Sequence, residues 1–467
     1  MAETVQRKLD KLDLTTEPLN VAIVGGGFAG FALLIGLQKY PHLNPQLYES
    51  AETWSELGAG AIQGPNAQRA MEMIDPRILH GFERRAAYNE GPPDENGQYL
   101  WMAVTKGQEP DVGEKVLEYR HSVRGSTIHR AHFLNELIKL AEPERTHVGK
   151  RLVGIQESGD EGPVQLHFKD GTQAEADVVI GADGIHSVVR KHVLGTDNPA
   201  SDAFFTGGII YRCTVPIAVA KEALEDVTQK FSITCGKDGV VYGFPLANNT
   251  LYYIGVTTFH NSPVKQDKWN VPVDTDDLNG RFADYADFVK KQVALVPNDG
   301  STLGWSIWEM PLAPTFHKGR VYIMGDAAHA TAPFLGAGAG QAIEDALVMH
   351  RLLGHCFDPA RQSESPFTKQ ETVRAVLQAC DTTRRFRSQK VVVTSSEVGR
   401  LLSGNEPGIT MEAAPMFEAL KDKMHWIWDA DVEQQVKDAR LLFEEAEFAV
   451  KRQAATRHTN FKAPGRE

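Results

Sequence analysis

The segment that decides the fold is Gly319-Arg-Val-Tyr-Ile-Met-Gly-Asp-Ala-Ala-His-Ala-Thr-Ala-Pro-Phe-Leu-Gly-Ala-Gly-Ala-Gly-Gln-Ala-Ile-Glu-Asp-Ala-Leu347. Its start predicts a buried strand, and the pattern from about Gly340 predicts a helix. The loop between them is rich in Gly and Ala, so backbone N–H groups can approach a ligand near the positive end of the helix dipole. Asp326 follows the strand and can accept hydrogen bonds from ribose-like hydroxyls. The segment predicts a cofactor clamp; a strand-to-helix connection without a ligand is the alternative.

A second glycine motif lies near the start of the chain. A short apolar strand leads into Gly25-Gly-Gly-Phe-Ala-Gly30, and Gly25, Gly27 and Gly30 fit the pattern G-x-G-x-x-G. An apolar helix follows, and a second strand ends at Glu49, 19 residues after Gly30. An acid at about 20 residues binds a ribose hydroxyl in dinucleotide folds. The order of strand, glycines, helix and acid predicts a dinucleotide site without distinguishing FAD from NAD.

The remaining chain alternates between further motifs and a different strand pattern. Residues 56–69 form another Gly/Ala-rich loop that enters a helix, and a strand ending in Gly-Ala-Asp183-Gly184 precedes one more helix. Alternating apolar runs from 204 to 308 predict an antiparallel sheet that could roof a pocket. The turn-rich segment 89–113 predicts a surface excursion, and the chain from about 366 onward has a helical pattern.

Composition excludes several classes of protein. The hydrophobic fraction of 42% and charged fraction of 24% are those of a globular protein, and 467 residues suffice for two or three domains. A net charge of −12 argues against a nucleic-acid binder. The four cysteines are far apart without a CxxC pair, which argues against a dithiol centre or a zinc ribbon. The polar N-terminus, residues 1–18, lacks the apolar region of a signal peptide, and no apolar run is long enough to span a membrane, so we expect a cytoplasmic protein without membrane partners.

Three separated glycine motifs in this order resemble the single-component (group A) FAD-dependent aromatic monooxygenases, which are related to p-hydroxybenzoate hydroxylase. Within that family, residues 56–69, 128–134 and 336–345 are similar to fungal salicylate hydroxylase-like enzymes, whose relatives include monooxygenases that dearomatise polyketide phenols. The resemblance spans about residues 19–450.

The resemblance implies an α/β (α+β) fold with a Rossmann-like FAD-binding domain, an interleaved antiparallel-sheet substrate domain and a helical C-terminus. The implied boundaries are 19–195 and 309–360 for the two parts of the FAD-binding domain, 196–308 for the substrate sheet and 361–467 for the helical region. The implied cofactor is FAD, with NADH or NADPH as the transient reductant. The implied reaction hydroxylates a phenolic aromatic with O2 through a flavin C4a-hydroperoxide. Decarboxylation, dearomatisation, and a monomer or homodimer remain open.

The resemblance and the motifs together predict the residues that hold FAD. They are Gly25, Gly27, Gly30, Glu49, Gly60, Ala61, Arg130, Asp183, Gly184, Gly325, Asp326, Pro333, Gly336, Gly338, Ala339 and Gly340. Arg130 is expected to face a phosphate, with a surface salt bridge as the alternative.

The substrate end of the site rests on fewer residues. The resemblance places Arg212 where an arginine holds the phenolate, with a salt bridge in the sheet as the alternative. Tyr242 is the candidate proton relay, or else a core residue. Phe244, Phe334 and Leu335 are predicted to line the pocket where the family often has polar residues, which suggests a larger or less polar ring than salicylate.

Other functions stay open at this point. His329 is expected to pack against the cofactor or its loop, and His186 to be structural. Epoxidation or Baeyer–Villiger-type oxidation of a natural product is the second enzymatic hypothesis, and a non-catalytic protein on the same fold is the third.

Overall fold

The structure is a computed structural model that describes residues 17–54, 60–159, 162–259, 269–300 and 302–460. Residues 56–59 of the predicted loop lie outside these ranges. No described helix combines the length and the apolar character that crossing a membrane requires.

The strands of the described chain are numbered in order. They are β1 (Leu19–Val24), β2 (Leu43–Tyr48), β3 (Gly60–Ile62), β4 (Ala87–Tyr88), β5 (Tyr99–Lys106), β6 (Lys115–His121), β7 (Ser126–His129), β8 (Thr146–His147), β9 (Leu152–Glu157), β10 (Val164–Phe168), β11 (Gln173–Ala176), β12 (Val178–Gly181), β13 (Phe204–Pro216), β14 (Phe231–Gly236), β15 (Gly239–Leu246), β16 (Leu251–Phe259), β17 (Asn270–Pro272), β18 (Leu303–Glu309), β19 (His317–Lys318) and β20 (Val321–Ile323).

The helices are numbered in the same way. They are α1 (Phe28–Leu37), α2 (Pro65–Ile74), α3 (Pro76–Glu83), α4 (Arg130–Ile138), α5 (Val188–Leu194), α6 (Ile217–Leu224), α7 (Thr275–Arg281), α8 (Asp287–Val293), α9 (Asp326–His329), α10 (Gly338–Cys356), α11 (Pro359–Glu364), α12 (Lys369–Leu402), α13 (Ala413–Leu420), α14 (His425–Trp428) and α15 (Val432–Asn460). Short 3-10 segments lie at Pro143–Arg145, Pro199–Ser201, Glu225–Gln229 and Pro333–Leu335.

A mainly parallel sheet brings the three glycine motifs to one edge. Its strand order is β19-β20-β12-β1-β2-β8, and only β19 runs antiparallel to its neighbour. Val24 pairs with Gly181, and Gly181 pairs with Ile323, so β1, β12 and β20 end side by side. Ligands of open α/β sheets bind outside the carboxyl ends of the strands. The motifs that follow these three strands therefore lie together, as the predicted FAD-binding fold requires.

A larger sheet lies over this edge. Its order is β17-β18-β13-β16-β15-β14-β5-β6, and it is antiparallel except between β14 and β5. Because side chains alternate along a strand, each face has its own core. On β16, Tyr253 belongs to the core that contains Phe244 and Phe334, whereas Tyr252 belongs to the core on the opposite face, which includes residues of α8.

The surface excursion predicted for 89–113 is wrong in part. Residues 99–106 form β5, which pairs with β14, and Trp101 to Val104 are buried. The turn-rich flanks on both sides masked a strand that is apolar along most of its length. The substrate sheet therefore takes two strands, β5 and β6, from the stretch assigned by sequence to the first part of the FAD-binding domain.

The C-terminal part of the described chain is mainly helical. α12 begins with a capping box in which the Thr368 hydroxyl accepts from Glu371 N–H and the Glu371 carboxylate accepts from Thr368 N–H. Along its 34 residues α12 packs on α10, on α15 and on the segment at Pro333–Leu335. It therefore lies behind the segment Pro333–Leu335, which lines the cleft.

Candidate active site

A cavity of about 580 Å³ lies between the parallel sheet edge and the larger sheet. This volume is in the usual range for small-molecule and cofactor sites. The predicted residues that line it are Gly25, Gly27, Glu49, Gly60, Ala61, Arg130, Asp183, Gly184, Arg212, Tyr242, Phe244, Asp326, Pro333, Phe334, Leu335, Gly336, Gly338 and Ala339. The structure thus gathers residues from widely separated stretches of sequence around one space.

Three predicted cofactor residues lie behind the wall. A Cβ on Gly30 would stand 1.9 Å from the Gly25 carbonyl oxygen, so Gly30 allows α1 to pack on the turn. Gly340 faces Ala67 inside α10. Gly325 adopts φ +57°, a left-handed conformation that favours glycine, and donates its N–H to Asp345 at 3.0 Å. In this structure, these three glycines shape the loops rather than line the cavity.

The chemistry of the cavity wall fits an elongated anionic cofactor. Helix α1 begins after Gly27 and α10 after Ala337, and neither N-terminus has a side-chain cap. Both open into the cavity through Gly27, Phe28, Gly338 and Ala339. The free N–H groups of a helix N-terminus favour phosphates and other negative groups. A Cβ at Gly27 would meet no atom within 4 Å, which leaves the backbone there open to a ligand.

Two acids of the predicted site hold the loops as well as line the cavity. The Glu49 carboxylate accepts from the N–H groups of Gly26 at 2.7 Å and Ala51 at 2.8 Å. The Asp183 carboxylate caps α5, where it accepts from the Ser187 hydroxyl at 2.5 Å and the Val188 N–H at 2.8 Å. Burial raises the pKa of Asp183 although these hydrogen bonds oppose it. Both acids fix the turns that surround the cavity.

Basic side chains surround the same space. Arg130 begins α4, lies 5.3 Å from the centre of the Phe28 ring and lines the cavity. Lys150 and Arg151 line it too, and Lys150 also forms a 2.7 Å ion pair with Asp170. Sequence reasoning missed this pair, since nothing in the loop before β9 marks it. The cationic lining suits the phosphates of a dinucleotide.

Arg212 provides the positive charge at the substrate end. It lies on β13, and its guanidinium stands 4.9 Å from the centre of the Trp305 ring. Within the described ranges, Arg212 forms no ion pair with an acid, so the predicted alternative of a salt bridge in the sheet finds no partner there. Burial lowers its pKa; nearby Tyr253 opposes this and Arg130 adds to it. The result is a cation held against an aromatic wall and facing the cavity.

Aromatic side chains surround Arg212 at the substrate end of the cavity. Tyr242 is buried, and its hydroxyl lies beside that of Thr257 but outside hydrogen-bond geometry. Burial raises the pKa of Tyr242 well above 10, so it is a neutral phenol. The Phe244 ring stacks on Tyr253 at 4.4 Å and 14°. Phe334 stacks on Phe259 at 5.8 Å. These rings give the end of the cavity that holds Arg212 a largely aromatic lining.

Tyr253 is the residue of this wall that sequence reasoning missed. It follows Tyr252 on β16, and two adjacent tyrosines gave no sign of which one faces the cavity. The pairing of β16 with β13 and β15 decides it, because Tyr253 lies on the same face as Arg212 and Tyr242. A strand register of this kind is a tertiary property.

The two histidines considered from sequence occupy different surroundings. His329 is buried behind the loop, where its Nε2 lies 2.6 Å from Asp345 Oδ2, and it does not line the cavity. His186 lines the cavity and packs edge-on against Trp269 at 4.1 Å. Burial lowers the pKa of His186, and Lys191 adds to this effect.

Comparisons with known proteins identify this arrangement. The model of the FAD binding domain family matches residues 18–380. The chain belongs to this family of FAD-dependent monooxygenases. A 6-methylsalicylate 1-monooxygenase of Aspergillus terreus is 38% identical over 447 residues, which cover 94% of this chain and 95% of the relative. A salicylate hydroxylase of Pseudomonas putida is 31% identical, with 90% of this chain and 95% of the relative covered.

The fold comparison agrees with the sequence comparison. A solved salicylate hydroxylase substrate complex superposes on the present structure with a TM-score of 0.77. The two chains are 31% identical, and the match covers 91% of this chain and 98% of the solved one. The protein is therefore a salicylate-hydroxylase-like enzyme that uses FAD, and a nicotinamide reductant is typical of its family. The hypothesis of a non-catalytic protein on the same fold is not supported.

Proposed function

We propose that this monooxygenase uses NADH or NADPH and O2 to hydroxylate a ring-substituted 2-hydroxybenzoate, of which 6-methylsalicylate is the model compound. The observation that carries the proposal is Arg212: a half-buried guanidinium, without an acidic partner among the described residues, that lines an aromatic cavity. Such a site is suited to an aromatic anion, because a guanidinium binds a carboxylate through two parallel hydrogen bonds. A methyl-substituted ring fits the apolar wall of Phe244, Phe334 and Leu335 better than a bare one.

The proposed cofactor residues divide between the two ends of FAD. Gly25, Gly27, Glu49 and Arg130 would hold its nucleotide half, and the segment from Asp326 to Ala339 would hold the half that carries the ring. When bound and reduced by NAD(P)H, FAD supplies the activation of O2 that transfers one oxygen atom to the substrate. The N–H groups at the start of α10 would stabilise negative charge on that ring.

The chain's own residues then orient and tune the substrate. Arg212 would hold the carboxylate or the phenolate edge, and a cation beside a phenol favours its deprotonated, more nucleophilic form. Phe334 and Leu335 would keep water away from the reacting carbon. Oxygen transfer to the carbon that carries the carboxylate would release carbon dioxide and leave a catechol; transfer to a neighbouring carbon would retain the carboxylate.

The test is aerobic NAD(P)H oxidation by the FAD-loaded protein with 6-methylsalicylate, salicylate, a resorcinol without a carboxylate and a non-phenolic aromatic ketone. Mass spectrometry of the same samples counts oxygen gained and carboxylate lost. Stimulation by the carboxylated phenols with one added oxygen supports the proposal. Stimulation by the resorcinol alone would show that the substrate is a phenol without a carboxylate. Oxidation of the ketone alone would favour the Baeyer–Villiger hypothesis.

A further inference from the structure

Three residues form a row across the larger sheet. Gly255 on β16 pairs with Arg212 on β13 on one side and with Tyr242 on β15 on the other. Since neighbouring strands lie about 4.8 Å apart, the Cα atoms of Arg212 and Tyr242 are about 10 Å apart, with no side chain from Gly255 between them. The row is thus a cation and a phenol that flank a gap.

Tyr253 fills the floor of that gap. It lies two residues from Gly255 on the same face, and a Cβ added to Gly255 would stand 3.0 Å from Tyr253 Cε1 and 3.1 Å from its hydroxyl oxygen. The ring therefore leans along the strand until its hydroxyl lies over Gly255. Stacking on Phe244 at 4.4 Å holds it in that direction. Gly255 is the position that makes room for the hydroxyl.

The surroundings of the Tyr253 hydroxyl suit a hydrogen-bond donor to an anion. In the part of the chain that the structure describes, no protein group bonds it, although Tyr253 is only 6% exposed and lines the cavity. Burial raises its pKa to about 12, although nearby Arg212 opposes this, so the phenol keeps its proton. A phenol that lines the cavity without a protein partner is free to donate its proton to a ligand there.

We propose that Tyr253 donates a hydrogen bond to the substrate carboxylate held by Arg212, and so selects carboxylated phenols over phenols without a carboxylate. This inference rests on the proposed function, because it assigns one substrate group to one residue. Arg212 would provide the positive charge, and the hydroxyl of Tyr253, which lies over Gly255, would orient the carboxylate. The hydroxyl of Tyr242 stands in the same row but is buried beside Thr257.

The experiment is calorimetric binding of two probes, 2-hydroxybenzoate and 2-hydroxybenzyl alcohol, to the FAD-loaded full-length protein. Tyr253→Phe removes only the hydroxyl and keeps the ring that stacks on Phe244. A hydrogen bond to a charged group corresponds to a ten- to hundredfold change in affinity, so we expect Tyr253→Phe to bind 2-hydroxybenzoate roughly ten- to hundredfold more weakly. Its affinity for 2-hydroxybenzyl alcohol should be unchanged. Gly255→Ala should cause the same selective loss, because its methyl group displaces the hydroxyl.

Tyr252→Phe is the matched control. Tyr252 is the preceding residue, its buried hydroxyl also has no partner, and it faces the opposite side of the sheet. The Tyr252→Phe protein should bind both probes with the same affinity as the unaltered protein. Tyr253→Phe with unchanged affinity for 2-hydroxybenzoate would overturn the inference, as would an equal loss for both probes. If the unaltered protein binds neither probe, the proposed substrate class fails and the inference fails with it.

Discussion

The imidazole of His329 and the carboxylate of Asp345 meet at 2.6 Å, with both side chains buried behind the glycine-rich loop. The same carboxylate accepts from Gly325 N–H at 3.0 Å and from Arg384 Nε at 2.8 Å. Asp345 belongs to α10, Gly325 to the turn before Asp326, and Arg384 to α12. One side chain thus ties the loop that lines the cavity to both helices behind it.

Replacement of Asp345 by Asn should destabilise the protein and weaken FAD binding. Removing one partner of a buried ion pair costs about 3–5 kcal/mol, because the remaining charge stays buried. The loop that leads to Asp326 loses its anchor at the same time. Urea unfolding of the FAD-free protein and fluorescence titration with FAD measure the two effects. As a control, Asp277→Asn breaks an exposed pair with Arg281 and should cost no more than about 1 kcal/mol.

Acid should destabilise the protein through Glu344. Burial alone would raise the pKa of this carboxyl, but Arg384 and Arg387 outweigh it and lower the pKa to about 2. Because the folded pKa lies below the ordinary 4.5, the stabilisation is complete above pH 4.5 and is lost as pH falls toward 2. A shift of this size corresponds to roughly 3 kcal/mol. Unfolding free energies between pH 6 and about 2.5 test this, and Glu344→Gln should show a flatter profile over that window.

Replacement of Arg212 by Ala should abolish turnover while FAD stays bound. An anionic substrate would then lie in an aromatic cavity without its counter-charge, a loss of about 2–5 kcal/mol or roughly 30- to several-thousandfold in binding. The measurements are substrate-stimulated NAD(P)H oxidation and the FAD content of the purified variant. Arg281→Ala, on exposed helix α7, should behave like the unaltered protein. Normal product formation by the Arg212 variant would remove this residue from the mechanism.

Replacement of Gly399 by Ala should narrow the cavity from behind. Gly399 lies in α12, and a Cβ there would stand 2.5 Å from Cδ2 and Cε2 of Phe334, a residue that lines the cavity. The ring must move, which costs about 1–3 kcal/mol of stability and should raise the KM more for 6-methylsalicylate than for salicylate. Steady-state kinetics and urea unfolding give both quantities.

A helical glycine with free space is the control for that variant. A Cβ at Gly280 in α7 would meet no atom within 4 Å. Gly280→Ala should leave the KM unchanged and raise stability by at most about 1 kcal/mol. A Gly399→Ala protein with an unaltered KM ratio would show that Phe334 does not limit the size of the ring.

The sequence by itself determined the FAD-binding half of the protein. Strand, glycines, helix and acid are neighbours along the chain from Leu19 to Glu49, so their local pattern carries the fold, and the segment around Asp326 repeats that logic. These local patterns predicted a dinucleotide-binding fold, and the family resemblance that the motifs carry then implied FAD and the enzyme class. Arg212 could be singled out because a family resemblance supplied what its own neighbourhood in sequence does not.

Only the tertiary structure decided which residues meet across strands. β5 joins the larger sheet through a parallel pairing with β14, more than a hundred residues later, and no local pattern specifies such a partner. The choice between Tyr252 and Tyr253 is of the same kind, because a shift of one residue in the register of β16 would exchange the two faces. The ion pairs of Arg384 with Glu344 and Asp345 also depend on helix packing. A local element such as a strand, turn or helix follows from the conformational preferences and the hydrophobic periodicity of its own residues. The wall of the pocket depends instead on the pairing of strands that are distant in sequence. That pairing is stabilised by apolar side chains that the distant segments bury together.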